Sequence, residues 1–178
     1  MSTRLHRLLC HTDMRANEIS RRAALNVLRG KGGMRPAVLS TEELERLLSA
    51  EMPETFSSDN GVRIVEVGHG FCRVRQAFKP NSLRPGGTIS GPTMMALADM
   101  AMYVALLAAI GWVPLAVTTQ LNINFLRKPA ARDLIAEGRL LKLGQRLAVG
   151  EILIRSDGHD ELVAHATSTY SIPAEGKI

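Results

Sequence analysis

The sequence predicts an α+β fold in which an antiparallel sheet of five to six strands wraps around one central apolar helix. Three features carry that expectation. The stretch 93–117 is apolar almost throughout and long enough for one dominant helix. The segments around it alternate apolar and polar residues with the period of half-buried strands. The breaks between those segments are short and rich in Gly, Asp, Asn and Pro, as hairpins require.

Each element follows from local chemistry. Ser40-Thr41-Glu42-Glu43 is a capping box, with the Ser40 side chain accepting from the Glu43 amide while Glu43 reaches back. It opens a helix over 41–50 with Leu44, Leu47 and Leu48 on one face, ended by Pro53 and the Ser57-Ser58-Asp59-Asn60-Gly61 run. Residues 62–67 and 71–78 read as strands hinged at Gly68-His69-Gly70, and 79–87 as a Pro/Gly loop. Pro92 suits the first turn of the next helix, where its missing N–H would have no partner anyway. That helix runs to about Ile110, where Gly111 and Pro114 stop it. Strand 115–126 sets Leu121, Ile123 and Phe125 against Gln120, Asn122 and Asn124. Strands 132–143, 147–155 and 161–172 follow, turned by Gly144-Gln145 and by Ser156-Asp157-Gly158-His159. In the last of them Leu162, Ala164, Ala166, Tyr170 and Ile172 share a face.

The apolar stretch also has the length of a membrane span. Against that, it contains Asp99, ends at Gly111-Trp112-Val113-Pro114 and lacks flanking Lys/Arg clusters. It reads as the buried centre of a soluble domain, and no membrane span is expected.

Charge divides the chain. Of the net +5, all falls in residues 1–33, where seven basic residues face Asp13 and Glu18. The other 145 residues carry fifteen charges of each sign. Residues 1–37 are therefore read as a basic N-terminal extension and 38–178 as the domain. For the extension three readings stand: an over-extended start with Met34 as initiator, a disordered arm, or a short appended helix. It is Arg-rich and acid-poor like an organelle transit peptide, but it has no secretory signal's apolar core. A neutral body, in a chain with 4% aromatic residues, speaks against a nucleic-acid-binding surface, and no nucleic-acid partner is expected. Cys10 and Cys72 make neither a metal spacing nor a disulfide framework, so a reducing, cytoplasmic setting is expected.

Asp99 is the residue that needs a reason. An ionised carboxylate buried without a partner costs several kcal/mol. A helix N-terminus presents unpaired N–H groups and partial positive charge. Gly91, with no side chain to block approach, offers one such N–H to a carbonyl oxygen becoming an oxyanion. A carboxylate in apolar surroundings suits a general base or nucleophile. Together they imply acyl-group chemistry. Eight helical residues separate Gly91 from Asp99 by roughly 12 Å, whereas a reacting carbonyl needs both within about 3 Å. Two copies with antiparallel helices would resolve this, each amide facing the other's carboxylate, so a homo-oligomer with a shared site is expected. A purely structural alternative has equal standing: Asp99 bonds a hydroxyl such as Thr93 or Tyr103. Ser90 is equally a plain N-cap. Met94, Met95, Met100 and Met102 read as flexible core filling, with Met95 a candidate for an adaptable acyl pocket.

The segment 62–173 resembles the hotdog-fold acyl-CoA thioesterases of the phenylacetic acid degradation type. That family carries His-Gly-Gly at the helix start and an Asp eight residues after the first glycine. Here Ser90-Gly91-Pro92 occupies that place, and Gly91 to Asp99 keeps the spacing. Leu121-Asn122-Ile123-Asn124-Phe125-Leu126-Arg127-Lys128-Pro129 is similar to the family's next strand, and Gly144-Gln145-Arg146 and 164–170 match in style. The resemblance implies a hotdog fold and hydrolysis of an acyl-CoA or related thioester without metal or cofactor. It implies that the Gly91 N–H polarises the thioester carbonyl, and that Asp99 of a partner subunit attacks it or activates water. Thr118 falls near the hydroxyl expected to orient that water. Ser90 and Pro92 depart from the pattern, and Pro92 has no N–H to give. The family's Asn before the glycine loop falls at Arg84 or, with a gap, at Asn81. Arg84 is either a substrate contact or a solvated loop charge, and Arg127 and Lys128 are candidates for coenzyme A phosphates.

Other motifs fail on inspection. Gly87-Thr88-Ile89-Ser90-Gly91 is not a nucleophile elbow. Residues 28–33 lack the spacing and hydroxyl of a phosphate loop. His6, His11, His69, His159 and His165 have no metal-ligand spacing. The competing functions are an acyl-CoA-binding protein with a degraded site and an acyl-CoA hydratase. No histidine lies between His69 and His159, which speaks against the hydratase.

Overall fold

The computed structural model describes residues 35–56 and 61–174. The expectations for residues 1–34, and the turn at 57–60, lie outside them. The described elements are α1 (Thr41–Glu51), β1 (Val62–Gly68), β2 (Phe71–Gln76), a 3₁₀ turn (Pro80–Ser82), β3 (Leu83–Arg84), β4 (Thr88–Ile89), α2 (Gly91–Ile110), β5 (Val117–Phe125), β6 (Leu134–Leu143), β7 (Leu147–Ser156) and β8 (Leu162–Ser171). Six strands form one antiparallel sheet in the order β1-β2-β6-β7-β8-β5. It wraps around α2, giving the expected hotdog architecture.

Both arms of the capping box before α1 are made: Ser40 Oγ accepts from Glu43 N at 3.2 Å, and Glu43 Oε2 accepts from Ser40 N at 2.8 Å. Leu44 and Leu48 are fully buried. Beside them on α1, Glu45 Oε1 accepts from Ile64 N of β1 at 2.9 Å. One edge of the sheet is thereby covered, with a β-bulge between Ile64 and Glu66 beside it.

Pairing registers define the face toward α2. Cys72, Gly138, Ile152, Ala166 and Ile123 lie in one row across β2, β6, β7, β8 and β5. In the next row Leu140, Gly150, Ser168 and Leu121 are aligned. The glycines there are steric necessities. A Cβ on Gly138 would sit 2.9 Å from the Ala101 carbonyl oxygen, and one on Gly150 would strike Met102. The missing side chains let α2 lie almost against the sheet backbone, with Leu97, Ala98, Ala101, Met102 and residues 104–108 buried. α2 has the length and hydropathy of a membrane-crossing helix, but most of it is core.

Two expectations need correction. Residues 79–87 are not a plain loop: Leu83 and Arg84 pair with Ile89 and Thr88 around Gly86 and Gly87, both at positive φ. Leu83 and Ile89 are apolar enough to fold this hairpin onto the core. Strand 115–126 is not half-buried as its alternation suggests. Leu121 and Ile123 are partly buried, while Phe125 is 50% exposed although it faces the same way. β5 is the open edge of the sheet and pairs only with β8.

Candidate active site

Asp99 lies on the one stripe of α2 that the sheet leaves uncovered. Pro92, Met95 and Ala96 are exposed along it, and Asp99, Met100 and Tyr103 are partly exposed. The apolar run suggests a buried acid. The carboxylate is instead at the boundary, because β5 stops the sheet short of that face of the helix.

Its partners are Thr118 and Tyr170, rather than Thr93 or Tyr103. Thr118 Oγ1 donates to Asp99 Oδ1 at 2.6 Å, and Tyr170 Oη donates to the same oxygen at 2.8 Å. Tyr170 also lies 3.2 Å from the Asp99 carbonyl oxygen. Register explains the convergence: Thr118 and Tyr170 are directly paired across β5 and β8 on the face toward α2. The Tyr170 ring stacks on Tyr103 at a centroid separation of 6.0 Å. Burial pushes the Tyr170 phenol far above its usual range, and the neighbouring Asp99 charge adds to this while Thr118 opposes it. The phenol is therefore a permanent donor. Among the described residues, Asp99 Oδ2 carries no hydrogen bond. Thr93 instead bonds Ser90, Oγ to Oγ1 at 2.9 Å, and Tyr103 Oη reaches only the Pro114 carbonyl at 3.5 Å.

The start of α2 forms the second half of the site. Ser90 caps the helix, its Oγ accepting from Thr93 N at 3.4 Å. Pro92 has no N–H and that of Thr93 is taken, so Gly91 supplies the free amide of the first turn. The Phe125 ring lies alongside Gly91, where a Cβ would meet it at 3.2 Å. The 3₁₀ turn is tied to the same place by Ser90 N donating to Ser82 O at 2.9 Å, which brings exposed Asn81 near the helix start. Arg84 is exposed on the small hairpin and donates from Nε to Thr88 Oγ1 at 3.1 Å. Arg127 and Lys128 come after Phe125 and Leu126 and are exposed, with Arg127 Nη2 3.4 Å from Glu161 Oε1. Met95, 39% exposed, is one turn past Gly91 on the open stripe.

The structure thus groups Ser90, Gly91 and Asn81 at the start of α2 with Phe125 alongside, and Asp99 with Thr118 a little over two turns away. Arg127 and Lys128 lie two and three residues beyond Phe125, with no hydrogen bond or ion pair to α2 among the described residues. In one chain the two groups stay apart, at about 12 Å of helical rise. Thr118, expected near the water, donates its own proton to Asp99 and keeps its oxygen lone pairs for a further donor. Tyr170 was legible only as a core residue. Its signal was a tyrosine on a buried strand face, where the hydroxyl must find a partner.

Comparison with known proteins agrees with this architecture. The family model described as the thioesterase superfamily matches residues 86–163. A candidate thioesterase from Silicibacter sp. TM1040 is 43% identical, with a TM-score of 0.70 over 77% of this chain and 94% of that one. A candidate esterase of Saccharolobus solfataricus is 29% identical over 138 residues, 78% of this chain and 89% of the relative. A Streptococcus pneumoniae protein described as a hypothetical thioesterase, solved with coenzyme A, shares the fold at a TM-score of 0.62 and 20% identity, covering 71% of this chain and 97% of that one.

Proposed function

The chain belongs to the thioesterase superfamily, and from that premise we propose that it is an acyl-CoA thioesterase hydrolysing a medium-chain or aromatic acyl thioester to the free acid and thiol. The observation that carries this is an Asp99 carboxylate held through Oδ1 by two hydroxyls, with Oδ2 unbonded, on the open stripe of a helix whose first turn presents the Gly91 N–H.

In this reading the site is completed by a second copy. The uncovered α2 stripe and the open β5 edge, with Val117 56% and Phe125 50% exposed, are the surfaces that would meet. One protomer's Gly91 N–H holds the thioester carbonyl oxygen. The partner's carboxylate either takes a proton from an attacking water or adds directly to the carbonyl carbon. In the first course the tetrahedral oxyanion faces Gly91, then collapses to the acid and expels the thiolate, which recovers the proton. In the second, collapse expels the thiolate and leaves an acyl–aspartyl anhydride. A water splits it, giving the acid, the free carboxylate and the proton the thiolate takes up. Asn81, Arg84, Arg127 and Lys128 would receive the coenzyme A portion, and Met95 the acyl chain. The coenzyme A bound to the Streptococcus pneumoniae fold neighbour supports that carrier. The fully buried free thiol of Cys72 suits a reducing cytoplasm.

Thiol release from a panel of acyl-CoAs tests the proposal. The protein should turn over at least one, and Asp99→Ala should lower the rate by roughly 10²–10⁴-fold. Undiminished activity in Asp99→Ala would remove Asp99 from the chemistry. Pro92, which leaves a single amide where the family pattern has His-Gly-Gly, favours a second reading as a non-catalytic acyl-CoA binder. Thermal stabilisation by acyl-CoA without thiol release would select it.

A further inference from the structure

We propose that Tyr170 is a positioning residue for Asp99, holding one carboxylate oxygen in place so that the other is the reactive one. This rests on the thioesterase reading and adds a residue of β8 to it. Three observations support it. Tyr170 Oη is within 2.8 Å of Asp99 Oδ1 and 3.2 Å of the same residue's carbonyl oxygen, so one hydroxyl spans side chain and backbone. Thr118 reaches Oδ1 from the adjacent strand at 2.6 Å, which occupies that oxygen from two directions. The phenol is itself fixed: its ring stacks on Tyr103, one helical turn past Asp99 on α2, and the residue is 3% exposed. A carboxylate anchored at Oδ1 cannot rotate freely, and Oδ2 is presented to solvent-side chemistry at constant geometry. Thr118, on the open edge strand, is a less rigid anchor than a buried aromatic ring.

Tyr170→Phe removes the hydroxyl and keeps the ring and its packing. It should lower kcat roughly 10–100-fold, the range for losing a hydrogen bond to a charged group, with KM little changed. In the Asp99→Ala background the same substitution should add no further loss. An unchanged kcat in Tyr170→Phe, or an equal further loss in the Asp99→Ala background, overturns the proposal, the latter marking a merely structural role.

A second measurement needs neither turnover nor a Tyr170 variant. The chain has two tyrosines, so ¹³Cζ-tyrosine labelling resolves both phenols. Removing the Asp99 charge and acceptor in Asp99→Ala should let Tyr170 ionise at a lower pH than in the unaltered protein. Identical titrations would show that the two groups are not coupled and would also overturn it. Full activity in Asp99→Ala would remove Asp99 from the chemistry and overturn the proposal with it. No thiol release by the unaltered protein from any acyl-CoA would instead sink the thioesterase reading and leave the Tyr170–Asp99 contact to be judged by the titration.

Discussion

Cys72 shows how far one buried side chain can tie the fold to pH. It is completely enclosed, and its Sγ donates to the Ala101 carbonyl of α2 at 3.0 Å. Burial raises the thiol from an ordinary 9.0 to about 12, with backbone hydrogen bonds from Gly138 and Ala105 offsetting part of the effect. Below pH 9 the thiol is protonated folded or unfolded and contributes no pH dependence. Between about 9 and 12 the unfolded chain releases the proton and the folded one keeps it, so stability falls by at most about 1.4 kcal/mol per pH unit. Urea unfolding at pH 8 and pH 10.5 should therefore show a loss larger by about 1–2 kcal/mol in the unaltered protein than in Cys72→Ala. Equal losses would mean that the thiol does not set the dependence. The residues of the candidate site differ in how visible they were. Asp99 stood out because it alone interrupts an apolar run, and Gly91 because it begins one. Tyr170 did not stand out, because its sequence neighbours describe a core strand. Its contact with Asp99 depends on the pairing of Thr118 with Tyr170, which spans some fifty residues of chain.

Among the elements, the contact of α2 with β6 and β7 is the one least forgiving of change. A methyl group on Gly138 would lie 2.9 Å from the Ala101 carbonyl oxygen and 3.2 Å from Cys72 Sγ. Main chain cannot swing aside as a flexible side chain can, so Gly138→Ala must separate helix from sheet. Overpacking of this kind costs about 1–3 kcal/mol, equivalent to a fall in melting temperature of about 2–10 °C for a domain of this size. An unchanged melting temperature would show that α2 does not lie so close. The order and type of the long elements were legible because strand alternation, the capping box and Gly/Pro breaks are local signals. The β3–β4 hairpin was missed because Arg-Pro-Gly-Gly reads as loop, and only the contact of Leu83 and Ile89 with the core makes it pair. The exposure of β5 was not legible either, since alternation reports which way side chains point and not whether anything covers them.

At the scale of the molecule, the two sheet edges are treated differently. β1 is closed by α1, whose Glu45 accepts from the Ile64 amide, and by a bulge. β5 has neither device, and beside it runs the uncovered stripe of α2 that carries Asp99. An exposed strand edge next to an exposed helical stripe suits an isologous contact, in which each surface meets its own copy. The proposed shared site makes this testable by complementation. Gly91→Pro deletes the amide proton and Asp99→Ala deletes the carboxylate, so each variant alone should release little thiol. Mixed after unfolding and refolding together, half of randomly formed dimers pair one variant with the other. Each such dimer holds one site with both groups intact and one with neither. Recovery of roughly a quarter of the unaltered protein's rate is then expected for a two-fold assembly. A site contained within one chain would give no recovery at all. Sedimentation of the refolded mixture separates the cases further, because inactive dimers would refute the composite site while inactive monomers would locate the failure in assembly.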